Sequence, residues 1–95
     1  MGDSQLSIAF RATDVTGQKR VDMASPPDRT IELLLKEIVK GLGLPAKDAD
    51  GRPQAYHPRL DREGRHLVPS ERVGDALQPG DELVIQPSID AGVGA

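Results

Sequence analysis

The sequence predicts an α+β fold in which one mixed sheet of four to five strands packs on one helix. Three observations carry this reading. Two alternating runs flank the glycine turn Asp14-Val15-Thr16-Gly17, an apolar stripe of helical period begins at Ile31, and a last alternating run follows Gln78-Pro79-Gly80-Asp81. A strand is buried on one face when apolar residues recur every second position, and a helix when they recur every third or fourth. One amphipathic helix laid over one such sheet gives two layers around a single core.

The first strand spans Leu6 to Ala12, with Leu6, Ile8 and Phe10 inward. The second spans Gln18 to Ala24, with Val21 and Met23 inward. Joined by a short glycine-containing turn, the two read as a hairpin. Ser25-Pro26-Pro27-Asp28 ends the sheet, because proline has no N–H for a ladder, and Asp28 suits a helix N-cap. Ile31, Leu34, Leu35, Ile38, Val39 and Leu42 then line one face of a helix. Glu32 and Lys36 are spaced to pair on its outer face. Lys40 suits its negative end, and Gly41 or Gly43 stops it before Pro45.

Pro45 to Pro53 is a polar loop rich in Asp, Gly and Pro. The third strand is Gln54 to Leu60, with Tyr56 and Leu60 on one face and Pro58 pointing to an edge position or a bulge. Asp61-Arg62-Glu63-Gly64 turns the chain into a short fourth strand, Arg65 to Val68. Val73, Ala76 and Leu77 supply an apolar patch in the following connection. Pro and Gly occupy favoured turn positions in Gln78-Pro79-Gly80-Asp81, before a last strand from Glu82 to Gln86. Leu83 and Ile85 of that strand face inward, Val84 and Gln86 outward.

Composition narrows the function classes. The chain has 95 residues, the size of one domain. Aromatic residues make up 2 % of it, so the core is aliphatic. The net charge is −3 and no basic stripe carries interleaved aromatics, which argues against nucleic-acid binding. The absence of cysteine excludes disulfides, thiolate metal sites and cysteine nucleophiles. Met1-Gly2-Asp3-Ser4 lacks the features of a secretory leader, and no apolar run approaches the ~20 residues of a membrane span. The expectation is a cytoplasmic protein with no membrane partner.

Three segments in order carry a family resemblance: Leu60-Asp61-Arg62-Glu63-Gly64-Arg65-His66-Leu67, Val73-Gly74-Asp75-Ala76-Leu77 and Pro79-Gly80-Asp81-Glu82-Leu83-Val84-Ile85. With the hairpin and the helix, they make the chain resemble the ubiquitin-like β-grasp family over roughly Leu6 to Pro87. The resemblance implies a ubiquitin-like domain over residues 1–87 and a flexible tail over 88–95. It also implies a bacterial-type ubiquitin-like modifier. Superposing Leu83 on the matching leucine of ubiquitin's last strand places Gly92 where the mature modifier ends. Val93-Gly94-Ala95 is then an extension for a processing peptidase to remove. Glycine suits a tail threaded through a narrow channel, since it lacks a Cβ. The chain ends Asp90-Ala91-Gly92-Val93-Gly94-Ala95, without the double glycine of such modifiers.

In this scheme an activating enzyme adenylates Gly92, a conjugating enzyme passes it to protein targets, and the chain itself contributes no catalytic residue and no cofactor. The outer sheet face, formed by His57, Arg59, Val84 and Gln86, is the expected partner-binding surface. Two alternatives stand beside this one. The chain also resembles the non-conjugated ubiquitin-like components that accompany type VII secretion, for which the outer face alone would act. A β-grasp sulfur carrier, which needs an exposed terminal glycine, is the third. His57 and His66 fall on separate strands without clustered ligands and read as surface histidines, not as a metal site. Asp48, Asp50 and Gly51 read as a polar turn.

Overall fold

The computed structural model describes residues 7–88. Its elements are β1 (Ile8–Asp14), β2 (Arg20–Ser25), α1 (Ile31–Leu42), β3 (Tyr56–Leu60), β4 (Arg65–His66), α2 (Val73–Ala76) and β5 (Asp81–Pro87). The five strands form one sheet in the order β2-β1-β5-β3-β4. β1 and β5 run parallel at its centre, with Phe10 opposite Asp81 and Ala12 opposite Leu83. The remaining neighbours are antiparallel. The sheet is mixed, as the sequence predicts.

The helix lies over one face. Ile31, Leu34, Ile38 and Leu42 are its buried positions, one per turn. They meet Phe10, Ala12, Leu60, Leu83 and Ile85 from the sheet. Leu67, Val73 and Leu77 close the end of the same core. Each fully buried aliphatic side chain contributes about 1.5–3 kcal/mol of transfer free energy. At the C-terminus of α1, Gly43 sits in the left-handed region (φ 70°) and its N–H reaches back to the carbonyls of Lys40 and Val39. This is the stop expected from the two candidate glycines.

Several boundaries differ from the sequence reading. The first strand is displaced by two residues. Ile8, Phe10 and Ala12 form its inward row, and Leu6 lies outside the described residues. The second strand begins at Arg20, because the Asp14 carboxylate accepts hydrogen bonds from Thr16 Oγ and Lys19 N and draws Gln18 and Lys19 into the turn. Thr30, not Asp28, caps the helix. It is extended (φ −79°, ψ 156°), and its Oγ1 accepts from Leu33 N. Residues 26–29 are used in a preceding turn closed by Arg29 N to the Pro26 carbonyl. On the helix surface the ion pair is Arg29–Glu37 at 2.6 Å; no Glu32–Lys36 bridge forms among the described residues.

Pro58 is neither on an edge strand nor in a bulge. β3 lies between β5 and β4, and Pro58 is opposite Ile85. Its carbonyl accepts from Leu67 N, so its nitrogen faces the β4 side as well. β4 is two residues long and ends before it would require a donor there. The missing N–H therefore costs the β3–β5 ladder nothing.

Candidate interaction surface on the outer sheet face

The register sorts each strand into two rows. Residues 81, 83 and 85 of β5 face the helix and are buried, while Glu82, Val84 and Gln86 point the other way. Arg59 lies opposite Val84 and His57 opposite Gln86, so both stand on that outer face. His66, opposite Arg59, joins them from β4. Thr13 lies beside Val84 on the parallel neighbour, and Arg20 beside Thr13. One row thus crosses the sheet as Arg20, Thr13, Val84, Arg59 and His66. The structure brings together all four residues predicted for this surface, His57, Arg59, Val84 and Gln86, each half-buried. Gly92, Val93, Gly94 and Ala95 lie outside the described residues.

Side chains on one half of the face are tied together. His66 Nε2 is 2.7 Å from Gln86 Oε1, a contact that reaches across β3. His57 Nδ1 is 2.9 Å from Ser88 Oγ. The two imidazoles meet edge to face, with centroids 4.8 Å apart. Arg59 is drawn toward the β3–β4 turn by Asp61 at 3.3 Å. Val84 is the apolar point among these polar groups. Ser88 continues the strand pairing, since its N–H donates to the Ala55 carbonyl at 2.8 Å.

The other half is built differently. Ala9, Ala24 and Gly80 floor a shallow trough of about 680 Å³, rimmed by Arg11, Asp22 and Glu82. Arg11 Nε holds Asp22 Oδ1 at 2.8 Å, and this hydrogen bond keeps the Asp22 carboxyl below the usual carboxylate range. The sequence reading missed this trough. Small outward residues were visible at positions 9 and 24, but the adjacency of Gly80 depends on the parallel β1–β5 pairing, where Gly80 N donates to the Ala9 carbonyl. It also missed the meeting of His57 and His66, which depends on which β4 residue lies opposite Arg59.

No protein-family model and no curated protein sequence matches the chain. Solved structures do. A de novo design based on ubiquitin is 23 % identical, with a TM-score of 0.67 over 87 % of this chain and 90 % of the design. The ubiquitin of Caldiarchaeum subterraneum is 15 % identical, with a TM-score of 0.65 over 86 % of this chain and 94 % of that one. The fold is the ubiquitin-like β-grasp. A chain of an ESX-5 inner membrane complex carries the same ubiquitin-like fold, with a TM-score of 0.60 at 18 % identity. That match covers 90 % of this chain but 21 % of the other. Among the described residues, no helix of this ubiquitin-like domain is long and apolar enough to cross a membrane.

Proposed function

We propose that this ubiquitin-like chain works by binding other proteins through the outer face of its sheet, and that it is not itself an enzyme. The observation that carries the proposal is the row Val84, Arg59 and His66, with His57 and Gln86 beside it, on the side of the sheet opposite α1. An apolar side chain ringed by arginine, imidazole and amide groups suits a partner that offers an aliphatic anchor and a polar rim. A photo-crosslinking residue at position 84 should capture partners in native cells, while the same residue at Lys36 on the helix should not. Equal capture at both positions would refute the assignment of the face.

The finer reading is a conjugated modifier that ends at Gly92. Leu83, the residue from which that position is counted, is fully buried in the central strand β5, as the superposition on ubiquitin requires. A peptidase would remove Val93-Gly94-Ala95, and activating and conjugating enzymes would join the Gly92 carboxylate to targets. Gly92→Pro should then abolish conjugates in cells, and the intact mass of the native protein should lack the last three residues. The likeness to a domain of a longer ESX-5 complex chain supports the opposite arrangement, a non-conjugated module in a larger assembly. Deleting residues 89–95 separates the two, because only the modifier needs them.

A further inference from the structure

The two edges of the sheet are built differently. β4, at one edge, is two residues long. β2, at the other, pairs with β1 through six consecutive residues without a proline or a bulge. A strand edge of that length is a template for another strand unless a proline, a bulge or a covering segment blocks it. The Ala9 carbonyl accepts from Gly80, on the β5 side of β1. Alternate residues of a strand direct their backbone groups the same way, so Ile8, Phe10 and Ala12 turn theirs toward Ser25, Met23 and Val21 of β2. The Asp14 N–H keeps this phase by donating to the Lys19 carbonyl. Arg20, Asp22 and Ala24 therefore direct N–H and C=O out of the sheet. Among the described residues, no other hydrogen bond engages these groups. All three residues are exposed.

We propose that β2 is a self-association edge, on which the β2 strand of a second copy of this chain pairs antiparallel and joins the two sheets into one. The register follows from charge and from the free backbone groups. Hydrogen bonds form only where outward-directed residues of the two strands lie opposite one another. With Val21 on the two-fold axis, Arg20 of each copy lies opposite Asp22 of the other. Asp22 already accepts from Arg11 Nε through Oδ1, which leaves Oδ2 to the other copy's Arg20. Moving the axis to Asp22 sets two carboxylates against each other, and like charges directly opposite are destabilising. Moving it to Met23 brings Arg20 opposite Pro26, which has no N–H to offer. On the helix side, half-buried Val21 meets its own counterpart in the favoured register. The shared edge is short, so association depends on concentration.

The test begins with sedimentation of the full, untagged chain. Its mass should double as concentration rises toward the millimolar range, and amide exchange at Arg20 and Asp22 should slow in step. The sequence has no cysteine, so Val21→Cys can bridge only two copies. Residues opposite each other in a non-hydrogen-bonded pair have Cα atoms about 4.5 Å apart, within disulfide reach. Val21→Cys should therefore crosslink at least tenfold faster than Met23→Cys under mild oxidation. Arg20→Asp and Asp22→Arg should each lose association alone and regain it when mixed, because each then faces the opposite charge. The proposal is overturned if the parent stays monomeric at every concentration, a readout that does not depend on the folding of any variant. It is also overturned if Met23→Cys crosslinks as fast as Val21→Cys, or if the two charge variants, both folded by circular dichroism, stay monomeric when mixed.

Discussion

Arg62 clasps Asp81 through two parallel hydrogen bonds, Nε to Oδ1 at 2.9 Å and Nη2 to Oδ2 at 3.1 Å. Asp81 is the first residue of β5 and belongs to its inward row, where it is only 7 % exposed. A carboxylate there needs donors, and Gln78 N supplies a third at 2.8 Å. Arg62 also approaches the Ala76 carbonyl, so one side chain joins the β3–β4 turn, α2 and the start of β5. Asp81→Asn keeps the shape but removes the charge. It should lower stability by about 1–3 kcal/mol, read as a shift of the urea midpoint at unchanged slope.

The same contact sets an acid limit. Arg62 holds the Asp81 carboxyl below its ordinary value, chiefly through the side-chain hydrogen bonds, and Arg65 does the same for Glu71. Carboxyls depressed in the folded state contribute stability that is complete above their unfolded values. That stability is lost as pH falls through the folded ones. Unfolding midpoints should therefore be flat near neutrality and drop below about pH 4. In Asp81→Asn the drop should be shallower, because one of the depressed carboxyls is gone.

Gly74 tests a packing contact. A Cβ built there would lie 2.7 Å from Pro27 Cβ and 3.1 Å from the Pro27 carbonyl oxygen. The Gly74 N–H also donates to that carbonyl at 2.8 Å, so backbone lies against backbone. Neither partner is a flexible side chain that could swing away. Gly74→Ala should cost about 1–3 kcal/mol and lower the thermal midpoint accordingly. A neutral result would mean that the 26–29 turn moves freely from α2.

Adjacent residues of β5 should respond in opposite ways. Leu83 is fully buried beneath the helix, so Leu83→Ala should cost about 2–5 kcal/mol of unfolding free energy. Val84 faces outward from the neighbouring position. Val84→Ala should change stability by less than about 1 kcal/mol and weaken partner capture instead. Denaturation and crosslinking yields measured on both variants check the pair of expectations together.

How much of this was legible beforehand depends on the range of the interaction. The α1 stripe from Ile31 to Leu42 was visible because helical period is local, and the inward Leu83 and Ile85 because strand alternation is local too. The outer positions of His57, Arg59, Val84 and Gln86 followed from the same alternation. Asp28 suits a cap by residue type alone, and so does Thr30, so type does not separate them. The deciding factor was the Pro26–Arg29 turn, which consumes the earlier residue. Residue type alone points Pro58 to an edge or a bulge, and the shortness of β4 that admits it between two strands cannot be read locally. The Asp81 clasp and the histidine contact both require residues about twenty and nine positions apart to meet, and no periodicity announces that.

The parallel pairing of β1 with β5 also has a consequence in time. Phe10 and Asp81 are roughly seventy residues apart in the chain, yet they are neighbours at the middle of the sheet. The β1–β2 hairpin can form early and α1 can cover its apolar face, but the inner edge of β1 has no partner until β5 slots in beside it. Closing so long a loop is entropically slow, which places this chain among the later folders for its size. A growing chain that has not yet released β5 leaves the β1 edge unpaired and the core without Leu83 and Ile85, and it is in that interval that the molecule is most open to aggregation, chaperones and proteases.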